Sequence, residues 1–136
     1  MRSAEPLRVA AFASGRGSNL KAILTEIENH HLNAEVVGVI SNNVDAGALD
    51  LARERNIPAE HLVKSAFANR DAFVQAILDH LSAWKTDLVV LAGYMKKMPP
   101  EVVSAYRDRM LNIHPALLPS FGGKGLYGHH VHEAVL

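Results

Sequence analysis

The sequence predicts an α/β fold in which helices cover both faces of an open, mostly parallel sheet. Apolar runs alternate with helical patterns along the 136 residues, of which 49% are hydrophobic. The runs are continuous rather than alternately polar and apolar, as expected for strands that are buried on both faces. The predicted strands are 7–13, 35–40, 59–63 and 87–92, with a short fifth strand near 110–113.

Four helices are predicted between these strands, near 19–30, 45–56, 70–84 and 100–107. Short polar side chains precede the periodic residues and are expected to begin the first three helices, namely Ser18, Asp45 and Asn69. The clearest apolar faces belong to the first and third helices, and we assign both to the core. Their residues are Leu20, Ile23, Leu24 and Ile27 in the first, and Phe73, Val74, Ile77, Leu78 and Leu81 in the third.

The composition excludes several kinds of function. Lys and Arg together number 14, as do Asp and Glu, so no basic field exists to hold nucleic acid. The absence of cysteine excludes disulfides, thiolate catalysis and Cys-ligated zinc, and is compatible with a reducing cytosol. The N-terminal apolar run is too short for a signal or membrane segment. We therefore expect a cytoplasmic protein with small-molecule substrates and neither a nucleic-acid nor a membrane partner.

The segment "FASGRGSNLKAIL" predicts a glycine turn between the first strand and the first helix. Gly15 and Gly17 would leave unpaired N–H groups at the positive end of a helix, which favours a phosphate, although any tight strand-to-helix turn favours glycine. The spacing is not that of a P-loop, and the third glycine of a dinucleotide site is replaced by Leu20 or its neighbours. A phosphomonoester on a small metabolite is the simplest ligand.

The segment "LNIHPALLPS" places two polar side chains at the end of the fifth strand. Because side chains alternate along a strand, Asn112 and His114 share a face, at the carboxyl edge where parallel sheets bind ligands. An amide that donates to an oxyanion, beside a histidine that exchanges a proton, suits acyl transfer. The alternative is a histidine satisfied by core hydrogen bonds, with Pro115 and Pro119 merely ending the strand.

Four segments together resemble phosphoribosylglycinamide formyltransferases, over nearly the whole chain: "ASGRGSNLKAIL", "ISNNVDAGALDLARERNIP", "DLVVLAGYMKKMPPEVV" and "LNIHPALLPSFGGKG". The resemblance implies the formyltransferase fold, which is a Rossmann-like open sheet. It also implies formyl transfer from 10-formyltetrahydrofolate, as co-substrate, to the amine of glycinamide ribonucleotide in de novo purine (IMP) biosynthesis. The product would be formylglycinamide ribonucleotide.

The resemblance also implies roles for particular residues. The phosphate of glycinamide ribonucleotide would be held by Gly17, Ser18 and Asn19. The folate would be contacted by Arg70, Met95, Lys96, Lys97, Met98 and Asn112. Asn112 and protonated His114 would be catalytic, meeting the oxyanion formed when the amine attacks the formyl carbon, with no metal required. The two methionines could instead be packing residues, and the two lysines a solvated pair.

Family members continue into a strand and loop that supply an aspartate, whereas this chain ends at Leu136 within "HEAVL", a segment typical of the middle of a helix. We therefore expect residues 1–136 to be a single formyltransferase domain, the N-terminal nucleotide-binding part, truncated so that its C-terminal strands and loop are missing. Its catalytic competence, and its stability as a monomer, then depend on the missing part. His129, His130 and His132 could bind metal adventitiously, but we expect no native metal site.

Other functions remain open from the sequence. Formyltetrahydrofolate hydrolases and the amino-terminal domain of methionyl-tRNA formyltransferases share the Asn-x-His-Pro run. A non-catalytic module that binds a nucleotide through the glycine turn is the alternative outside the enzymes.

Overall fold

A computed structural model describes residues 5–113 as one five-stranded sheet covered by helices. The strands are β1 (Leu7–Phe12), β2 (Ala34–Ser41), β3 (Ala59–His61), β4 (Leu88–Ala92) and β5 (Met110–Ile113). The α-helices are α1 (Ser18–Glu28), α2 (Gly47–Glu54), α3 (Arg70–Ala83) and α4 (Pro100–Ala105), and a 3-10 turn covers Lys64–Ala66. The predicted α/β fold is confirmed, with β3 shorter than the predicted strand 59–63.

All strand pairs are parallel, and the sheet order is β3-β2-β1-β4-β5. The chain moves outward from β1 to β3, then returns to the other side of β1 and moves outward again to β5. The order therefore reverses between β1 and β4, so the connections after these two neighbouring strands leave in opposite directions. A crevice opens at the carboxyl edge of a parallel sheet where this happens.

The core lies in two layers, one on each face of the sheet. Alternate residues of β1 contribute to opposite layers, since Ala10 and Phe12 pack toward α3 and α4 while Ala11 packs toward α1 and α2. The predicted apolar faces are confirmed, because Leu20 and Leu24 of α1 are buried, as are the following residues of α3: Phe73, Val74, Ile77 and Leu81. Ile23, Ile27 and Leu78 pack against these layers and are partly buried.

The predicted helix starts are confirmed in one case and wrong in two. Asn69 accepts a hydrogen bond from the N–H of Ala72 at 2.8 Å, as a side-chain cap does. Residue Ser18 is already inside α1, which is capped by Gly17 without a side-chain hydrogen bond. Asp45 precedes the cap of α2, which is Ala46. The backbone packing of these two helix starts, described below, decides where they begin.

No helix in the range 5–113 is long and apolar enough to cross a membrane.

Candidate functional site

A cleft of about 1140 Å³ lies at the carboxyl edge of the sheet. The residues that follow four of the strands line it: Ser14 after β1, 42–44 after β2, 61–65 around the end of β3, and 94–97 after β4. Arg70, at the start of α3, also lines the cleft. Because the cleft lies where the sheet order reverses, it occupies the position at which open α/β proteins bind small ligands.

The glycine turn after β1 is fixed by backbone contact with the start of α2. Gly17 has φ +90°, and a β carbon there would lie 2.8 Å from the α carbon of Ala48. A β carbon at Gly47 would lie 2.5 Å from the carbonyl oxygen of Arg16, and the N–H of Ala48 donates to the carbonyl of Gly15 at 3.3 Å. Only glycine permits both approaches, so the turn is positioned by tertiary packing.

Within residues 5–113, the turn leaves N–H groups without a backbone acceptor at the N-terminus of α1. The N–H of Lys21 makes the first bond of the helix, to the carbonyl of Gly17 at 2.7 Å. The N–H groups of Ser18 and Asn19 precede that bond and have no acceptor within the helix. They stand at the positive end of the helix dipole, in the arrangement that binds phosphate.

The side chain of Asn19 connects this turn to the loop after β4. Asn19 is only 5% exposed, and its Nδ2 would lie 3.5 Å from a β carbon placed on Gly93. Within residues 5–113 its amide makes no side-chain hydrogen bond, so it is available to a ligand at the junction of β1 and β4. Of the predicted phosphate residues Gly17, Ser18 and Asn19, the structure therefore places Asn19 beside the loop after β4, and none of the three lines the cleft.

The predicted folate segment divides into an exposed part and a buried part. Met95 is 76% exposed and borders the cleft together with Lys96 and Lys97. Met98 is 8% exposed and belongs to the core layer packed against α3 and α4. Met98 is therefore surrounded as a packing residue would be. Met95, Lys96 and Lys97 lie where a ligand in the cleft would contact them.

Arg70 borders the cleft but is already paired. Its two terminal nitrogens donate to the two carboxylate oxygens of Glu101, each at 2.7 Å. The guanidinium lowers the pKa of Glu101 to about 2, and the same hydrogen bond raises the pKa of Arg70. An anionic ligand that uses Arg70 must share it with this carboxylate.

Asn112 lies on β5, the outermost strand on its side of the sheet within residues 5–113, opposite Leu91 of β4, and is half-buried. It does not line the cleft. His114 lies outside the described residues, as do Pro115, Pro119 and the histidines at 129, 130 and 132. The predicted pairing of Asn112 with His114 therefore stays a prediction. In the described part of the chain, no three His, Cys, Asp or Glu side chains cluster as a metal site would require.

Sequence reasoning missed several polar residues of the cleft, among them Ser14, Asn42 and Asn43. The hydroxyl of Ser14 accepts from the N–H of Met95 at 2.7 Å and donates to Oδ1 of Asn42. The only available signal was position, since all three follow buried strands that end at the same edge of the sheet.

The open parallel sheet, its cleft at the reversal point and the glycine turn beside that cleft define a class of α/β proteins that bind small ligands, including phosphorylated ones. Residues 7–136 match the formyl transferase family, and the chain belongs to that family. The family resemblance seen in the sequence is confirmed.

Relatives and solved structures agree with this assignment. The chain is 44% identical, over 98% of its length, to the chloroplastic phosphoribosylglycinamide formyltransferase of Arabidopsis thaliana, covering 47% of that protein. It is 38% identical, over 86% of its length, to the phosphoribosylglycinamide formyltransferase of Escherichia coli, covering 55% of it. The chain thus spans about half the length of these curated relatives.

Among solved structures, phosphoribosylglycinamide formyltransferase from Coxiella burnetii matches with a TM-score of 0.76 and 39% identity, over 85% of this chain and 54% of that one. A formyltetrahydrofolate deformylase from Pseudomonas putida matches with a TM-score of 0.71 and 25% identity, over 81% of this chain and 38% of that one. Both have the same fold as this chain, and the deformylase is the less similar of the two in sequence.

Proposed function

We propose that this chain is the nucleotide-binding part of an enzyme that transfers a formyl group from 10-formyltetrahydrofolate to glycinamide ribonucleotide. The observation that carries the proposal is the glycine turn, which has N–H groups without a backbone acceptor among residues 5–113 and the buried Asn19 beside the loop after β4. Relatives named phosphoribosylglycinamide formyltransferase support the choice of nucleotide.

The charge of the cleft supports an anionic ligand. Its lining includes four cationic side chains, which are Lys64, Arg70, Lys96 and Lys97, and only Arg70 among them has a carboxylate partner within residues 5–113. No aspartate or glutamate lines the cleft among residues 5–113. Although the whole chain is neutral, the local positive charge favours the carboxylates of a folate in the cleft. The glycine turn does not line the cleft, and its phosphate would depend on the N–H groups and the dipole at the start of α1.

The reaction needs one nucleophile and one oxyanion stabiliser. The amine nitrogen of the nucleotide bonds to the formyl carbon, giving a tetrahedral intermediate. The bond from that carbon to N10 of the folate then breaks, and the amine proton passes to N10. Asn112 and protonated His114 are proposed to stabilise the oxyanion, and His114 to exchange the proton.

Hydrolysis of formyltetrahydrofolate is the second candidate, favoured by the likeness to the deformylase structure. Water would then replace the amine as nucleophile, and the phosphate-binding turn would have no substrate to hold. Release of formate without glycinamide ribonucleotide would support hydrolysis, whereas strict dependence on the nucleotide would support transfer.

We further propose that the protein works in the cytosol. Two plant relatives differ in this respect, since they are named chloroplastic.

The test begins with calorimetric titration of glycinamide ribonucleotide into this chain, with Asn19→Ala and Asn29→Ala as a matched pair on the same helix. Asn29 is exposed at the far end of α1. We expect Asn19→Ala to weaken binding at least about tenfold, as losing a hydrogen bond to a charged group does, and Asn29→Ala to leave it unchanged. Equal affinity in both variants would overturn the assignment of the phosphate site.

Formyl transfer is measured in the same samples with a 10-formylfolate donor. Binding without transfer would identify a nucleotide-binding part that needs further residues for catalysis, and adding a longer form of the chain should then restore turnover. Transfer that is lost in His114→Ala would assign the catalytic step to residues within this chain.

A further inference from the structure

The hydroxyl of Ser14 joins the ends of three strands at the floor of the cleft. Ser14 is 9% exposed. Its hydroxyl accepts from the N–H of Met95 at 2.7 Å, after β4, and donates to Oδ1 of Asn42, after β2. The one donor of a serine hydroxyl is therefore used, together with one acceptor site.

The backbone of Ser14 makes two further links to the same neighbours. Its N–H donates to the carbonyl of Gly93 at 3.1 Å, and its carbonyl accepts from Nδ2 of Asn43 at 3.4 Å. The residue that precedes the glycine turn is thus bonded on both sides, to the loop after β4 and to the loop after β2.

The hydroxyl matters most for the loop after β4, where few other bonds hold the backbone. Met95, Lys96 and Lys97 are all exposed, and the side chain of Met95 is free of core packing. The bond from Met95 N–H to Ser14 is the one hydrogen bond found for this amide among residues 5–113. Tyr94 packs its ring on Phe12 of β1, with the ring centroids 5.3 Å apart, and Met98 is buried in the core. Between these two anchors, the hydroxyl of Ser14 is what holds the backbone at Met95.

We propose that Ser14 is a positioning residue for a folate in the cleft, because its hydroxyl holds the loop 94–97 that borders the cleft. This inference rests on the proposed function for the identity of the ligand. The glycine turn depends less on the hydroxyl, since Gly17 and Gly47 fix it by backbone packing and the Ser14 backbone bonds remain in an alanine variant. Loss of the hydroxyl should therefore affect the cleft and the glycine turn unequally.

The test compares Ser14→Ala with Ser82→Ala, which makes the same chemical change at an exposed position of α3, outside the cleft. The first measurement is amide hydrogen exchange at Met95, which needs no ligand. We expect exchange to become about tenfold faster in Ser14→Ala, as the loss of one hydrogen bond predicts, and to stay unchanged in Ser82→Ala. Unchanged exchange at Met95 in Ser14→Ala would overturn the proposal.

The second measurement is the affinity for 5-formyltetrahydrofolate and, separately, for glycinamide ribonucleotide. We expect Ser14→Ala to weaken the folate about tenfold while changing nucleotide affinity less than about twofold. A general loss of structure would weaken both ligands equally and would contradict a positioning role. If the unaltered protein binds no folate, the proposed function fails, while the exchange measurement still tests the attachment of the loop.

A second variant covers the case in which Ser14→Ala does not fold. Asn42→Ala removes the acceptor that orients the hydroxyl but keeps the hydroxyl itself. Exchange at Met95 should then rise about threefold, because the hydroxyl can turn away from the amide. No change in this variant would contradict the proposed network.

Discussion

Arg70 and Glu101 form a two-point ion pair that joins the first residue of α3 to the first turn of α4, with both N···O distances at 2.7 Å. The two residues are 31 positions apart, so the pair fixes the relative position of two helices that cover the same face of the sheet. Arg70 also borders the cleft, so this pair determines the direction in which its guanidinium points.

The first prediction concerns the pH dependence of this pair. The pKa of Glu101 lies at about 2 in the folded protein, below its ordinary value of 4.5. A lowered folded-state pKa contributes stability that is present above the ordinary pKa and is lost as the pH falls through the folded one. Glu101→Gln should therefore be less stable than the unaltered protein above pH 4.5, and the difference should shrink toward pH 2. Thermal unfolding at a series of pH values measures it.

The control for that series is Glu54→Gln, at an exposed carboxylate whose nearest cation is its chain neighbour Arg55 at 3.9 Å. It should show a smaller pH-dependent difference, because the contact is longer and has a single point. A difference between Glu101→Gln and the unaltered protein that persists undiminished at pH 2 would show that the ion pair is not its source.

The second prediction is that Gly17→Ala damages both stability and phosphate binding. A side chain at φ +90° is strained, and its β carbon would lie 2.8 Å from backbone of α2. The strain alone costs about 1–3 kcal/mol, and relieving the contact must move the turn away from α2. We expect a lower free energy of unfolding, measured in urea, and at least about tenfold weaker binding of glycinamide ribonucleotide.

Gly15→Ala is the matched control in the same turn, since a β carbon there meets nothing within 4 Å. Its free energy of unfolding should remain within about 0.5 kcal/mol of the unaltered protein. Equal destabilisation by the two substitutions would contradict the role assigned to the contact with Ala48.

The success of the fold prediction has a local cause. The central strands are buried on both faces and therefore form continuous apolar runs in the sequence, as in β4, where Val89 and Val90 are buried. The outer strand β3 has no buried residue, and it is the strand whose length was predicted wrongly. The cap at Asn69 was also predictable from a local cause, because its partner Ala72 is three residues away. The starts of α1 and α2 were not predictable, because contact between the distant residues Gly17 and Ala48 decides them.

The candidate site shows the same division. Its glycine turn carries a spacing that can be read from the sequence, and the structure has that turn between β1 and α1, while phosphate binding there stays a prediction. The partners of Ser14, by contrast, are 28 and 81 positions away, and nothing in the local sequence pairs a serine with Asn42 or with the backbone of Met95. Hydrogen bonds between strand ends depend on sheet order, which periodicity alone does not fix.

The third prediction concerns the cap of α3. Asn69→Ala removes the acceptor of the Ala72 N–H and should lower the free energy of unfolding by about 1 kcal/mol. Urea denaturation measures this, with Asn29→Ala as control, since the Asn29 side chain makes no hydrogen bond with residues in the range 5–113. A loss below about 0.3 kcal/mol would show that water replaces the cap without cost.

The last prediction concerns the contact between β2 and the end of α3. A β carbon on Gly38 would lie 2.3 Å from two ring carbons of Trp84, so the indole packs directly on the strand. The ring has little room to withdraw, because it lies 5.3 Å from the ring of His80, and the carbonyl of Trp84 accepts two bonds from Arg8. Gly38→Ala should therefore lower the free energy of unfolding by about 1–3 kcal/mol, as overpacking does.

Trp84 also provides the readout for this substitution, since it is the one tryptophan in the chain. A displaced indole gains contact with water, so we expect the fluorescence maximum of the folded Gly38→Ala protein to shift to longer wavelength. The double variant Gly38→Ala with Trp84→Leu separates the two effects, because a smaller side chain removes the clash. Gly38→Ala should cost less in that background, and an equal cost in both would place the strain in the β2 backbone rather than at the indole.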